Sequence, residues 1–476
     1  MEKYKNLPVQ AKAAIWFVIC SVLQKGISVI TTPIFTRLMT TEEYGRFNVF
    51  LSWETIFAAI MILSLPWGVY PQGLVKFEEE RDTFSSSSFG LMTTLMLIWS
   101  VVYFIFRGPI NRILHTTTPM MLCMFVIIWS SSTYNFWAMY QRVNYEYRKL
   151  VILTVSTSLL IPIVSIILIK SFDDHVMARV IGISACQLLI YGSLGLIIFR
   201  GGKQLYSKNV WQYDIRFNIP LLPHYLSQRV LTSSDRIMIE YLINSSAAGI
   251  YSLSYSLGFI AQTVTSAIAD AIGPWQYRKI KERDYSGLAK MAYVLLSGVA
   301  GAILLFICFA PEIVAIFAPA EYSEASYLIP PIAISVYYVF MYGIFADFEF
   351  YFEKTRMISV ATLCAAVVNI VLNYIFVRIY GYAAASYTTL ACYIMYAVFH
   401  YNIMLGICRN ELGNVKIYNT SIIVCLSAGF TVAGLLTMMA YPYFIVRLIV
   451  VLLILLVAVF KRDLIRKAIV EFRKRD

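Results

Sequence analysis

The stretch Ala13-Ala-Ile-Trp-Phe-Val-Ile-Cys-Ser-Val-Leu-Gln-Lys25-Gly-Ile-Ser-Val-Ile-Thr-Thr-Pro-Ile-Phe-Thr-Arg-Leu38 is long and apolar enough to cross a bilayer, yet it carries a lysine at its middle. A second run, from about Arg216 to Leu242, places Arg229 at the corresponding position. A charge at bilayer depth costs about 2.5–3.5 kcal/mol on insertion scales unless it faces water or a partner. Two such cations at matching places point to use, and the use that fits them is to hold something anionic in a central cavity.

The rest of the chain has the same character. Of its 476 residues 59% are hydrophobic and 14% charged, with a mean hydropathy of +0.69, which places it among polytopic membrane proteins. Runs of about 17–25 apolar residues give about fourteen spans. They fall near 13–36, 44–66, 88–107, 119–140, 149–170, 177–199, 216–242, 248–271, 285–310, 325–350, 355–378, 382–405, 417–440 and 442–460. The last two can also be read as one bent helix. The alternating pattern of a membrane β-barrel is absent. The first run reads as an uncleaved span, because no small-residue cleavage site follows a short core.

The formal charge of +12 raises the question of nucleic acid, and its distribution answers it. With an even number of spans both ends share one side. On that side fall Lys3, Lys5, Lys12, the Arg142/Arg148/Lys149 loop, Arg200/Lys203/Lys208, the Arg278/Lys279/Lys281/Arg283 loop and the tail Lys461 to Arg475. About 28 of the 39 Lys and Arg lie there, the positive-inside bias. The excess is therefore topology, with both termini cytoplasmic, and no nucleic-acid partner is expected. The eight cysteines lie singly, without metal spacing, and read as packing residues.

A slide of 204 residues lays Gln24-Lys25 on Gln228-Arg229, Ser28 on Thr232, Leu38 on Leu242, Gly45 on Gly249 and Ser52 on Ser256. The same slide superposes the turn glycine and the intramembrane cation. This predicts two parallel, pseudo-symmetric six-helix lobes, 1–199 and 216–405, joined by a cytoplasmic linker 200–215 and followed by a helix pair and basic tail, 406–476. Helical spacing adds polar stripes: Ser21, Lys25, Ser28 and Thr32 on the first helix, and Arg229, Ser233, Arg236 and Glu240 on the seventh.

Here the residues carry a resemblance. Pro33-Ile-Phe-Thr-Arg37-Leu-Met-Thr-Thr-Glu-Glu-Tyr-Gly45, Ser234-Asp-Arg-Ile-Met-Ile with Ala248-Gly-Ile-Tyr-Ser-Leu, and Tyr380-Gly-Tyr-Ala-Ala-Ala385 resemble signatures of the bacterial polysaccharide transporters. These are the O-antigen and capsule flippases (Wzx-type) of the superfamily that also holds the MATE drug exporters and lipid II flippases. The resemblance implies an all-α, MATE-like integral membrane protein of the bacterial inner membrane. It also implies movement of an undecaprenyl-diphosphate-linked oligosaccharide from the cytoplasmic to the periplasmic leaflet by alternating access, and no catalysis. Membrane lipids, a polysaccharide polymerase and chain-length proteins would be its partners.

On this reading Lys25, Arg229 and Arg236 bind the diphosphate, Arg by bidentate donation and Lys as a point charge. The structural alternative is that Lys25 and Arg229 pair with Glu54 or Asp270, and Arg236 with Glu240. Glu54, Asp235, Asp270, Asp347 and Glu349 are candidates for a coupling ion, H+ or Na+, or for charge balance. No other cofactor and no metal is expected. Tyr134 and Trp137 (with Gln141), and Tyr338 and Tyr342, are candidate sugar contacts, although Tyr and Trp also gather between helices and at membrane interfaces. Pro220 and Pro223, just before Arg229, read as a hinge or a static kink.

Other functions fit less well. A multidrug exporter of cations would want an acidic cavity, against Lys25 and Arg229. A polymerase or ligase would want a large outer loop. A glycosyltransferase would want a DxD-like motif in a soluble segment, whereas Asp347-Phe-Glu349 lies inside a span.

Overall fold

A computed structural model describes residues 8–463 and 466, the side chains of Thr355 and Arg356 excepted. Lys3, Lys5 and the basic tail from Lys467 lie outside the described residues. Among the described residues every regular element is helical. The chain divides into two compact units, Met1–Ser233 and Ser234–Asp476. The first holds α1 (Val9–Leu38), α2 (Thr41–Met61), α3 (Val69–Lys76), α4 (Arg81–Ile105), α5 (Arg107–Ile113), α6 (Thr118–Val143), α7 (Tyr147–Ile169), α8 (His175–Gly202) and the start of α9 (Lys208–Leu242). The second holds the end of α9, then α10 (Ser245–Gly258), α11 (Ile260–Glu282), α12 (Tyr285–Cys308), α13 (Ala310–Phe317), α14 (Ala325–Tyr351), α15 (Thr355–Tyr380), α16 (Ala384–Glu411), α17 (Thr420–Leu436) and α18 (Phe444–Phe460).

The internal repeat is visible in the helix ends. α1 stops at Leu38 and α9 at Leu242, while α2 starts at Thr41 and α10 at Ser245, so both boundaries keep the offset of the slide. The caps keep it too. Thr40 accepts the Glu43 N–H at 3.2 Å and the Glu43 carboxylate accepts the Thr40 N–H at 2.8 Å, a reciprocal capping box. Asn244 caps α10 by accepting the Ala247 N–H at 2.8 Å. In the first unit the turn is also clasped from α8: His175 lies 3.1 Å from Glu43, and the Arg179 guanidinium sits 3.6 Å from the Phe35 ring and 3.7 Å from the Phe47 ring.

Packing differs between the units. In the second, α14 is the buried axis, with α10, α11, α12 and α16 against it, and nearly all of its residues from Ala325 to Phe340 are buried. In the first, α8 plays that part for α4, α6 and α7. α1 leans mainly on α7 and buries Ala13, Cys20, Phe35 and Thr36, leaving Val18, Val22 and Ile30 exposed as apolar surface for lipid.

Nine helices among the described residues are long and apolar enough to cross a membrane, ten if α5 and α6, bent by 89° between them, form one span. The chain is therefore a multi-pass membrane protein. The remaining expected spans fall on segments that are broken, short or polar. The expected span 44–66 is α2 plus an irregular turn, and 248–271 is divided at Phe259 between α10 and α11. The expected 216–242 lies in α9, whose many polar residues lower its hydropathy, and α18 has 17 residues. Between the expected spans 44–66 and 88–107 lies α3, and the second half of the expected linker 200–215 already belongs to α9.

Candidate functional site

The interruption after α2 organises the cationic region of the first unit. Leu63 and Ser64 adopt left-handed φ values of 51° and 53°, a conformation that costs an L-residue about 1–2 kcal/mol. The chain then turns through Pro66-Trp67-Gly68 into α3. Backbone groups exposed by a break at membrane depth need partners within the protein. Local turns supply several, Trp67 N–H to Ser64 C=O at 3.1 Å among them. The first N–H of α3, that of Val69, is instead accepted by the Asn218 side chain of α9 at 3.1 Å. Gly68 permits this approach, since a Cβ there would stand 2.1 Å from Asn218 Oδ1.

Three turns beyond Asn218 on α9 is Arg229. It is half-buried, and its guanidinium lies 5.4 Å from the ring of Trp67, which is 40% exposed at the break. No carboxylate among the described residues comes within ion-pair distance of it. Glu54, half-buried on α2, is the acid whose charge acts on Arg229. Arg229, Trp67 and Glu54 thus form one neighbourhood, and the planar guanidinium is left with donors to offer an incoming anion. Lys25 is exposed on α1, about 140° around the helix from the packed Cys20. No ion pair or hydrogen bond ties it to Arg229 or Glu54.

The other named residues fall in the second unit or on packing faces. Arg236 lies 4.3 Å from the ring of Tyr255. Glu240 accepts the Ser245 hydroxyl at 3.0 Å across the turn to α10. Asp235 is fully buried and accepts from Tyr251 at 2.6 Å, Thr389 at 2.7 Å and the Asn373 amide at 2.6 Å. Asn373 in turn donates to Asn369 at 3.2 Å and accepts from Thr388, so α9, α10, α15 and α16 meet at one carboxylate. Asp270 is exposed on α11 and Asp347 half-buried on α14. Glu349 is buried against His400.

The aromatic candidates make contacts between helices. Tyr134 shares a 2.5 Å hydrogen bond with Thr154 and stacks on Tyr191 at 4.6 Å. Trp137 is buried on the same helix. Tyr338 shares a 2.8 Å bond with Thr431 of α17, and Tyr342 packs on Tyr396 at 4.5 Å. Tyr134 and Trp137 belong to the first unit, Tyr338 and Tyr342 to the second.

Sequence reasoning missed Trp67, Asn218 and His400. The Pro66-Trp67-Gly68 triplet was the available signal for the first two. Nothing local marks His400, whose partner is 51 residues away.

Comparison with known proteins places these features in a family. The structure resembles that of the lipid II flippase MurJ in an inward closed conformation, with a TM-score of 0.66 and 15% identity, over 95% of this chain and 100% of that one. It also resembles a mutant of the MATE transporter VcmN of Vibrio cholerae, with a TM-score of 0.52 and 12% identity, over 85% and 97% of the two chains. At such identities the likeness is one of fold. In sequence, 160 residues are 23% identical to Lsg locus putative protein 1 of Haemophilus influenzae, over 33% of this chain and 40% of that relative. The chain thus matches less than half the length of that relative. The description "polysaccharide biosynthesis protein" matches residues 11–278, more than half of the chain. The chain belongs to the polysaccharide biosynthesis protein family.

Proposed function

We propose that this protein is a flippase for a lipid-linked glycan. Its cargo is an undecaprenyl-diphosphate-linked oligosaccharide, an O-antigen or capsule repeat unit. It carries that cargo from the cytoplasmic to the periplasmic leaflet of the bacterial inner membrane by alternating access, with both of its own termini in the cytoplasm. Lys25, Arg229 and Arg236 receive the diphosphate, and no covalent bond is made or broken. A coupling ion, H+ or Na+, is taken up by the buried carboxylates, and the polymerase and chain-length proteins act on the delivered product.

The observation that carries this reading is Arg229: a half-buried cation in α9, with no carboxylate among the described residues at ion-pair distance, beside an exposed indole at the break after α2. Holding a fixed positive charge there is costly unless an anion visits it. A lipid diphosphate supplies about two negative charges that must themselves pass an apolar barrier, and each compensates the other. An exporter of organic cations would meet repulsion at the same place.

Deletion of the gene followed by mass analysis of the membrane lipids tests the reading. Complete undecaprenyl-diphosphate-linked repeat units should accumulate on the inner leaflet while surface glycan is lost. Normal surface glycan with no accumulated intermediate would refute it.

A further inference from the structure

We infer that Glu349 and His400 form a site for one exchangeable proton at the contact of α14 with α16. Both side chains are wholly buried, and Glu349 Oε1 lies 2.5 Å from His400 Nδ1. Among the described residues the other two polar atoms of the pair, Glu349 Oε2 and His400 Nε2, have no hydrogen-bond partner. Burial this complete with half the polar atoms unsatisfied is costly and rare.

The argument follows from counting protons. With a carboxylate and a neutral imidazole that donates from Nδ1, the Oε1–Nδ1 bond is made but a negative charge is buried with no cation beside it. Adding one proton makes the pair electroneutral, either as carboxylate and imidazolium or as carboxylic acid and imidazole. The bond survives in both forms, and what remains is an Nε2–H donor and a lone oxygen acceptor without partners. A second added proton would bury a net positive charge. The site therefore alternates between a bare charge and an unsatisfied donor. Neither form satisfies all the polar atoms of the pair, so the proton is held at a cost in both.

Those surroundings are uncharged. Tyr342 of α14 stacks on the imidazole at 5.3 Å, and Tyr396 of α16 meets its edge at 4.5 Å. The Tyr396 hydroxyl shares a 2.9 Å bond with Thr362 of α15. From α11, Gln276 donates to the Ile344 carbonyl at 2.7 Å. Ahead of α17, Tyr418 packs on Phe348. Charged groups close along the chain are Asp347 on α14 itself, the exposed Glu353 just past the helix end, and Lys354, which forms a part-exposed 3.1 Å ion pair with Glu411. Glu349 lies within one turn of that end, at Phe352, so a proton has a short way to water. Parting of α14 from α16 would hydrate the pair and release it.

The test uses the full-length protein labelled with 15N-histidine, with His115, His175 and His224 replaced by Gln so that His400 alone reports. Imidazole nitrogen shifts distinguish the two neutral tautomers from the imidazolium. Between about pH 5 and about pH 9, which brackets ordinary imidazole values, the signals should move with one midpoint. In Glu349→Gln that midpoint should move by at least about one pH unit, a tenfold change in proton affinity. Signals that stay fixed over the range, or a midpoint unchanged in Glu349→Gln, would overturn the site. Where Glu349→Gln does not assemble, fixed signals in the protein that retains Glu349 decide the matter. The use of this proton in transport rests on the flippase reading, whereas the titration needs no cargo, so the two can fail separately.

Discussion

Replacement of Arg229 is the sharpest probe of the proposed diphosphate site. Arg229→Ala removes a guanidinium that has no acid among the described residues within ion-pair distance and whose neighbours are the Trp67 ring at 5.4 Å and the field of Glu54. Nothing buried is stranded without its ion partner, and the insertion cost of about 2.5–3.5 kcal/mol for a cation at depth is relieved. The amount of protein in the membrane should therefore hold or rise. Transport should fall. A hydrogen bond to a charged group contributes about 1.5–3 kcal/mol, which is about a 10- to 150-fold loss when each 1.4 kcal/mol is tenfold. Arg229→Lys keeps the charge but not the bidentate fork and should lie between. The assay is the ratio of inner-leaflet lipid-linked repeat unit to surface glycan in the complemented deletion strain, with membrane protein quantified in parallel. Full surface glycan from Arg229→Ala at ordinary protein levels would refute the reasoning. So would loss of the protein from the membrane together with its activity.

Three further outcomes follow from the packing. Asn218→Ala leaves the buried Val69 N–H without its acceptor and should destabilise the first unit by about 1–3 kcal/mol; Asn218→Asp, which keeps an acceptor, should recover part of the loss in detergent thermal unfolding. Gly90→Ala would set a Cβ 2.0 Å from the Leu205 carbonyl, costing about 1–3 kcal/mol, and should speed protease cleavage near residue 205. Asp284 caps α12 and lies 2.8 Å from Lys279; that ion pair and the Gly287 N–H hold its carboxyl below the ordinary value, while Asp284 raises Lys279 above its own. The contribution is thus present between about pH 4 and about pH 10, lost as pH falls through the depressed carboxyl value or rises through the raised amine value. Thermal stability of Asp284→Asn should lack these two slopes, and identical pH profiles for the two proteins would contradict the assignment.

How far the sequence could be read depended on whether a feature is local. The turn between α1 and α2 was placed to within a few residues by the ends of the two apolar runs, but Gly45, read as its glycine, lies inside α2; the turn is set instead by Thr40 and Glu43, which cap the helix, and at the repeat by Asn244. The membrane class was legible because burial in lipid demands long apolar runs. The break after α2 was not. Its left-handed residues are Leu63 and Ser64, neither a residue that announces such a turn, and its support comes from Asn218, far along the chain. The divide at Phe259 follows Gly258, but a single glycine in an apolar run does not by itself mark a break. Of the candidate site, Arg229 and Glu54 were named from depth alone, and the structure brings them near each other. Trp67 was not singled out, because its place beside Arg229 depends on the break after α2. His400 was passed over because a single histidine in an apolar helix shows its meaning only when the opposite helix is in place.

The last helix shows how little specification a lipid-facing segment needs. α18 is apolar on every side, and its one buried residue is Arg447. That guanidinium grips Glu312 of α13 through two bonds of 2.6 and 2.7 Å and also reaches the Cys308 carbonyl at 2.7 Å. A uniformly oily rod has no preferred rotation about its own axis, and this fork provides one. Drift among Leu, Ile and Val elsewhere on the helix should pass unnoticed by the fold, whereas positions 312 and 447 are bound to change as a couple or not at all.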